Sequence, residues 1–244
     1  MTSLLVTRPE PDVGATTPKL RALGIDPVSL PLMKRITLAF DPPANSDFAA
    51  TAVSSVNALR ALREQVGLER FRQRPLFTVG DGTAREAEVM GFKDIRSARG
   101  RFDDLVQLIG TSQPGGPIFY PAGKHRSGDL ARSLEPFGIV VKMTQVYDMV
   151  EATEIPDDVI ARIEAGDIDG GLFYSRRTAE SFVRLIGNRL DLAVRERFGT
   201  LCISQNVAGP LLDAHFVRVG LAEHPDEEAM MSLALAFARG QNAA

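Results

Sequence analysis

The chain has 244 residues, long enough for one large or two small domains with ample core. Apolar residues make up 44% and charged residues 24%, the balance of a globular chain rather than a disordered one. A formal net charge of −3 excludes a general attraction to nucleic acid or anionic lipid, so an anionic ligand must rely on local basic residues and backbone N–H groups.

Leu4–Val6 reads as a short buried strand ending at Thr7-Arg8-Pro9. Met1–Arg8 has neither the basic start nor the apolar stretch of an export signal, and no apolar run reaches membrane-span length, so the expected location is cytoplasmic. A helix over Thr16–Leu23 stops at Gly24, and Pro27–Leu32 is a second strand. After the break at Asp41-Pro42-Pro43, strand and helix signals alternate: Ala50–Val53, Asn57–Gln65, Leu76–Val79, Thr83–Met90, Ile95–Ser97, Asp103–Ile109, Ile118–Tyr120, Asp129–Phe137 and Val140–Tyr147. Gly91, Gly110 and Gly138 are expected to end helices. Asp157–Ala165 opens a last set, with strands near Gly171–Tyr174, Leu201–Ile203 and Val217–Gly220 and helices at Thr178–Ile186, Val207–Ala214 and Glu227–Ala238. Such alternation predicts parallel sheets with right-handed crossovers. Cys202, the one cysteine, excludes an intrachain disulfide or a CxxC site and reads as a buried small hydrophobe.

The pattern occurs twice. Leu76–Ala84 matches Leu201–Ala208 in kind, and the shift from Ala84 to Ala208 lays Phe92 on Phe216 and Ile95 on Val219. Ala52-Val53-Ser54-Ser55 has its counterpart in Leu172-Phe173-Tyr174-Ser175. Two α/β units of one pattern offer two sets of strand ends to a ligand held between them. The first two strands are too few for a domain and should join the C-terminal set. This gives one discontinuous domain, 1–34 plus 149–244, and an inserted one, 37–146, with chain crossings near Met33–Ile36 and Tyr147–Glu151. Twin linkers permit hinge bending around a cleft.

Val79-Gly80-Asp81-Gly82-Thr83-Ala84 sets two glycines between a strand and a helix. It reads as an anion site of exposed N–H groups with a Thr83 hydroxyl, or as a tight turn with glycines at positive φ and Thr83 as a cap. Arg85 stands where GxGxxG has its third glycine, and no GK[ST] ending follows. Tyr120-Pro121-Ala122-Gly123-Lys124-His125-Arg126 groups basic residues on a loop that serves a carboxylate-rich ligand or solvent equally well. Ser175-Arg176-Arg177-Thr178 repeats the theme with Ser175 or Thr178 as cap, and Arg8 is a third arginine at a strand end. His125, His215 and His224 lack zinc-ligand spacing, and Ser54 and Ser55 lack a nucleophile elbow. Asp157-Asp158 and Glu227-Glu228 read as helix-start charges. Tyr147 is either a proton donor to a leaving hydroxyl or a packed tyrosine with a wet tip.

In order, Leu5-Val6-Thr7-Arg8-Pro9, Val53-Ser54-Ser55-Val56-Asn57-Ala58, Val79–Ala84, Tyr120–Gly123, Leu134 with Gly138, Val146-Tyr147, Phe173-Tyr174-Ser175 and Ile203-Ser204-Gln205-Asn206-Val207-Ala208 resemble the uroporphyrinogen-III synthase family over nearly the whole chain. Ser204 and Val207 depart from the family's Ile-Gly-x-x-Thr-Ala, with Asn206 a substitute for the missing threonine hydroxyl, and Arg176-Arg177 replace Pro or Ser. The resemblance implies two similar flavodoxin-like domains on two linkers with a cleft between them. It also implies a monomeric, cofactor-free lyase that cyclises hydroxymethylbilane with loss of water and inversion of ring D. It points to Tyr147 as the catalytic residue and to Arg8, Ser54, Ser55, Gly80, Gly82, Thr83, Tyr120, Gly123, Lys124, Ser175, Arg176, Ser204, Gln205 and Asn206 as substrate contacts. No metal, nucleic acid or membrane partner is expected. A non-catalytic two-domain protein holding a small anion is the other reading.

Overall fold

The computed structural model describes residues 1–44, 47–126 and 128–241; the parts of the expected domain ranges at 45–46, 127 and 242–244 lie outside the described residues. The chain begins with β1 (Ser3–Val6), α1 (Asp12–Ala22) and β2 (Asp26–Ser29), followed by β3 (Met33–Thr37). Next come β4 (Ala50–Val53), α2 (Val56–Gln65), α3 (Glu69–Arg72), β5 (Leu76–Thr78), α4 (Asp81–Val89), β6 (Ile95–Ser97) and α5 (Phe102–Ser112). Then follow β7 (Ile118–Gly123), α6 (Leu130–Leu134) with a 3₁₀ turn at Glu135–Phe137, and β8 (Val141–Glu151). The last part holds α7 (Asp157–Ala165), β9 (Gly170–Phe173), α8 (Arg176–Ile186), α9 (Leu192–Arg197), β10 (Gly199–Cys202), α10 (Gln205–Asp213), β11 (Val219–Leu221) and α11 (Glu227–Gln241).

Two compact units emerge, Met1–Lys34 with Val150–Ala244, and Arg35–Met149. The first holds a five-stranded sheet in the order β11-β10-β9-β1-β2, with every neighbouring pair parallel. The second holds a six-stranded sheet, β3-β8-β7-β4-β5-β6, parallel from β8 to β6. The spatial order is the same in both once β1 is set against β7, β2 against β8, and β9, β10, β11 against β4, β5, β6. Only the point where the chain enters differs. Strand progression reverses between β1 and β9 in one sheet and between β7 and β4 in the other, and such reversals leave a crevice at the carboxyl ends of strands.

Buried strands and one-sided helices explain the packing. Helix α8 turns Thr178, Ala179, Phe182 and Ile186 inward at helical spacing. Phe182 meets Phe173, Phe198 and Phe216 at ring separations of 5.0, 5.8 and 5.7 Å. Phe48, Phe71 and Phe119 form the corresponding aromatic group of the other unit at 5.6–5.7 Å. The repeat is carried in register: Ile95 opens β6 as Val219 opens β11, and Phe92 and Phe216 are both buried.

Several sequence expectations need correction. The chain passes between the units inside the expected ranges Met33–Ile36 and Tyr147–Glu151, at Lys34/Arg35 and Met149/Val150, but it does so within strands β3 and β8, which are hydrogen-bonded neighbours, rather than in loops. On β3, Met33 is buried and Lys34 exposed, but Arg35 is then half-buried and Ile36 42% exposed, so the hydrophobic alternation breaks mid-strand, which hid the strand. Helix α1 starts at Asp12, ahead of the expected Thr16, and takes Pro18 into its interior. Gly110 does not end α5; the helix runs on to Ser112 and stops at Gln113, which has φ 43°. Phe137 packs where a Gly110 Cβ would stand, 2.4 Å away, which is why glycine sits mid-helix. Gly24, Gly91 and Gly138 do take the left-handed region after their helices. Among the described residues no helix is long and apolar enough to cross a membrane.

Candidate functional site

The expected site residues lie along and just beyond the strands of both units: Tyr120 and Tyr147 stand inside β7 and β8, whereas Arg8, Ser54, Ser55, Ser175 and Ser204 follow strand ends. In the second unit β4 ends at Val53, and Ser54 and Ser55 follow it. Ser55 adopts an extended conformation and its hydroxyl accepts from the Asn57 N–H at 3.2 Å, capping α2. Ser54 bonds the phenol of Tyr120, reaching across from β7, at 3.1 Å. Tyr147, from β8, is 8% exposed, and its phenol comes near the Ser55 hydroxyl. Burial pushes the Tyr147 phenol above its ordinary value, with the Ser55 hydroxyl opposing in part. Each of the two adjacent serines thus has a tyrosine near it, and the bond is made between Ser54 and Tyr120. Gly123 lies opposite Tyr147 in the β7–β8 pairing, and the Lys124 N–H donates to the Tyr147 carbonyl at 3.0 Å. The Lys124 ammonium lies 3.3 Å from Asp148, which also faces His125 at 3.8 Å.

The turn from β5 into α4 contradicts its plain-turn reading. Gly80 is the N-cap at φ −141° and ψ 164°, so neither Thr83 nor a positive φ is involved; Gly82 and Thr83 lie in the first turn of α4. A Cβ at Gly80 or Gly82 would meet nothing within 4 Å. Neither backbone conformation nor packing within the unit demands glycine at these positions. First-turn N–H groups have no intrahelical acceptor, and here no side chain caps them.

The first unit repeats this layout. After β9, Ser175 is extended and caps α8, accepting from the Thr178 N–H at 3.2 Å and meeting its hydroxyl at 2.7 Å. After β10, Ser204 is the extended N-cap of α10 yet makes no side-chain capping bond, the counterpart of Gly80. Gln205 and Asn206 are exposed in that first turn. Arg176 joins the two helix starts, donating to Asn206 at 3.3 Å and to Glu180 at 2.8 Å. Asn206 therefore serves Arg176 rather than its own turn.

At the other side of this crevice Arg8 is already engaged. It forms a short ion pair with Glu227 at the start of α11, lies 3.4 Å from Asp12 and stacks 4.2 Å over the Tyr174 ring. Glu227 also takes Lys19 at 3.4 Å and the Thr16 hydroxyl at 3.0 Å. The sequence assigns Glu227 only a helix-start role; its partners lie more than 200 residues away and no local pattern marks them. Burial drives the Tyr174 phenol well above its ordinary value, with the Glu227 charge adding to this. Arg8, Lys124 and Arg176 each face a carboxylate, so none is a bare cation awaiting an anion. Among the described residues no group of three His, Cys, Asp or Glu could hold a metal ion.

Residues 14–232 match the family model described as uroporphyrinogen-III synthase HemD. No curated protein matches. The fold is similar to that of uroporphyrinogen-III synthetase from Helicobacter pylori 26695, at 18% identity and a TM-score of 0.66 over 97% of this chain and 100% of that one. It is also similar to a mutant uroporphyrinogen III synthase from Thermus thermophilus, at 14% identity and a TM-score of 0.59 over the whole of both chains. At such identities these likenesses bear on the α/β fold alone, while the family model spans most of the sequence: the chain belongs to the uroporphyrinogen-III synthase family.

Proposed function

We propose that the strand ends described above hold the substrate of the family's reaction. That reaction cyclises hydroxymethylbilane, a linear tetrapyrrole, with loss of water and inversion of ring D, giving uroporphyrinogen III for haem biosynthesis. The chain is a lyase of that kind. The observation that carries the site assignment is the pair of uncapped helix starts at matching sheet positions, Gly80 before α4 and Ser204 before α10.

The N–H groups of Gly82 and Thr83, and of Gln205 and Asn206, take substrate carboxylates, because their acceptors are missing from the helix and the helix dipole favours an anion there. The open space at Gly80 and Gly82 lets the ligand approach the backbone. Arg8, Lys124 and Arg176 supply field rather than dedicated pairs, since each charge is matched by a carboxylate. Ser54, Ser55, Tyr120 and Gly123 form the wall around Tyr147, and Ser175 holds α8.

Tyr147 is the proton donor. Its raised phenol stays protonated at neutral pH, as a donor must. The phenol proton passes to the leaving hydroxyl as the carbon–oxygen bond breaks, water departs, and a cationic azafulvenium remains. Its electrophilic carbon attacks the substituted position of ring D, and the resulting spiro intermediate opens and recloses with that ring inverted. Ring closure releases a proton, which restores the phenol. Positioning the bilane for the spiro attack is the main demand, because unguided closure gives the other isomer.

The proposal extends to two hinged, flavodoxin-like domains, 1–34 with 149–244 and 37–146, working as a cytoplasmic monomer without a cofactor. The common strand order of the two sheets supports the pairing of domains. Purified protein given freshly generated hydroxymethylbilane should yield the type III isomer above the spontaneous type I background. Type I alone would refute the activity. Type III formation with unaltered KM in a Gly82→Glu variant would refute the carboxylate site.

A further inference from the structure

This inference rests on Tyr147 as proton donor and concerns what holds the phenol in place. Along β7 and β8 the partners run in step from Ile118 opposite Val141 to Ala122 opposite Gln145; then the register slips, so that Gly123 faces Tyr147 and Val146 is passed over. A slip of this kind bends the strand and re-aims the side chain that follows. The Lys124 N–H bond to the Tyr147 carbonyl fixes the backbone just beyond it.

Gly123 is not among the glycines at positive φ, so its backbone accommodates other residues. Space excludes them. A Cβ at 123 would stand 2.7 Å from Cζ and 2.9 Å from Oη of Tyr147, distances that real Cβ atoms do not adopt. The ring therefore crosses β7 through the place where a side chain would be, toward Ser55 at the end of β4, the next strand in the sheet. Ser55 is itself held, because the same hydroxyl caps α2.

We propose that Gly123 is a positioning residue: the register slip after Ala122 and the missing side chain at 123 seat the Tyr147 ring across β7 and aim its hydroxyl toward the carboxyl end of β4. Gly123 thus acts through Tyr147 rather than by offering its own backbone to the substrate.

The chain has three tyrosines and no tryptophan, so ultraviolet phenolate absorbance reports on few groups, and subtraction of a Tyr147→Phe titration isolates Tyr147. In Gly123→Ala the displaced ring should move toward solvent and the Tyr147 titration should fall toward the ordinary phenol value. Turnover should drop about tenfold or more with KM little changed, while in a Tyr147→Phe background the same substitution should cost less than about twofold. An unmoved titration, or equal losses in both backgrounds, overturns the proposal. Slowed turnover in Tyr147→Phe with a silent Gly123→Ala overturns this proposal alone, whereas wild-type turnover in Tyr147→Phe overturns the donor reading and this proposal with it. If Gly123→Ala fails to fold, the pair Gly123→Ala with Tyr147→Ala decides: recovery of folding supports the seat, and continued failure assigns Gly123 to something other than Tyr147.

Discussion

The crevice between β4 and β7 and the crevice between β1 and β9 occupy the same place in two sheets of one strand order, yet they are furnished differently. The first presents hydroxyls: Ser54 with Tyr120 and Ser55 with Tyr147. The second presents charge: Arg8 between Asp12 and Glu227, with the Tyr174 ring beneath it. Neighbouring them, both units keep the same alternation of a serine-capped helix, α2 or α8, and a helix without a side-chain cap, α4 or α10. What the fold repeats is therefore a helix start whose first-turn N–H groups have no side-chain cap. What it varies is the side-chain chemistry beside it, and Tyr147, the proton donor under the proposed function, belongs to the hydroxyl crevice.

That division is broken most directly at Tyr147. Tyr147→Phe removes the proton and keeps the ring that packs beside Gly123, so turnover should fall by about 10²- to 10⁴-fold with the fold intact. Tyr174→Phe, on a phenol just as buried in its own unit, should leave turnover within about twofold. Steady-state rates with the two variants side by side check both. Equal losses would show that the crevices do not divide the work.

A second expected effect appears as alkaline sensitivity. Burial pushes the Cys202 thiol up to about 12, and the Tyr147 and Tyr174 phenols are also raised. Unfolded, these groups lose their protons at ordinary values, so above those values the unfolded chain binds fewer protons than the folded one. Stability is then fully present at neutral pH and declines as pH rises, first through the thiol range from about 8.5 and then through the phenol range from about 10. Denaturation midpoints across that range should fall, and Cys202→Ala should flatten the first part of the decline. A flat profile in the parent protein would mean that these groups are wet.

The helix caps sharpen the comparison by smaller amounts. Ser55→Ala and Ser175→Ala each remove a side-chain cap and should cost about 1 kcal/mol. Ser55→Ala should in addition slow turnover, because it removes the hydroxyl nearest the Tyr147 phenol, whereas Ser175→Ala should act on stability alone. Chemical denaturation and initial rates separate the two effects.

How far this was legible in the sequence depends on whether the cause was local. Strands such as Ala50–Val53 and helices such as Asp157–Ala165 follow from apolar runs, caps and terminal carboxylates, all of which act within a few residues. The short α9 was missed although Asp191 caps it by accepting from the Val194 N–H, a local signal that was available. β3 was hidden because its inward residue is Arg35, held by Glu64, and its isoleucine faces outward. In the candidate site, the order of motifs marked the strand ends and the repeated turns. It did not reveal that Glu227 occupies Arg8, that Asp148 faces Lys124, or that Tyr120 takes Ser54 and the Tyr147 ring fills the space at Gly123. These pairings join residues distant along the chain, and only the sheet order brings them together.

The smallest expected effect tests the uncapped helix start itself. Ser204 has the extended backbone of an N-cap, but its hydroxyl makes no bond to the first turn of α10, unlike Ser175 on α8. Replacing it with alanine removes no capping bond, so Ser204→Ala should change the unfolding free energy by less than about 0.5 kcal/mol, where Ser175→Ala costs about twice that or more. The free N–H groups of Gln205 and Asn206 are backbone groups and survive the change, so KM should rise no more than about threefold, the loss of one weak hydroxyl contact. A destabilisation equal to that of Ser175→Ala would mean that Ser204 caps α10 after all. The first turn would then have less free donor capacity for a carboxylate, and the likeness between the starts of α4 and α10 would be one of backbone shape without shared chemistry.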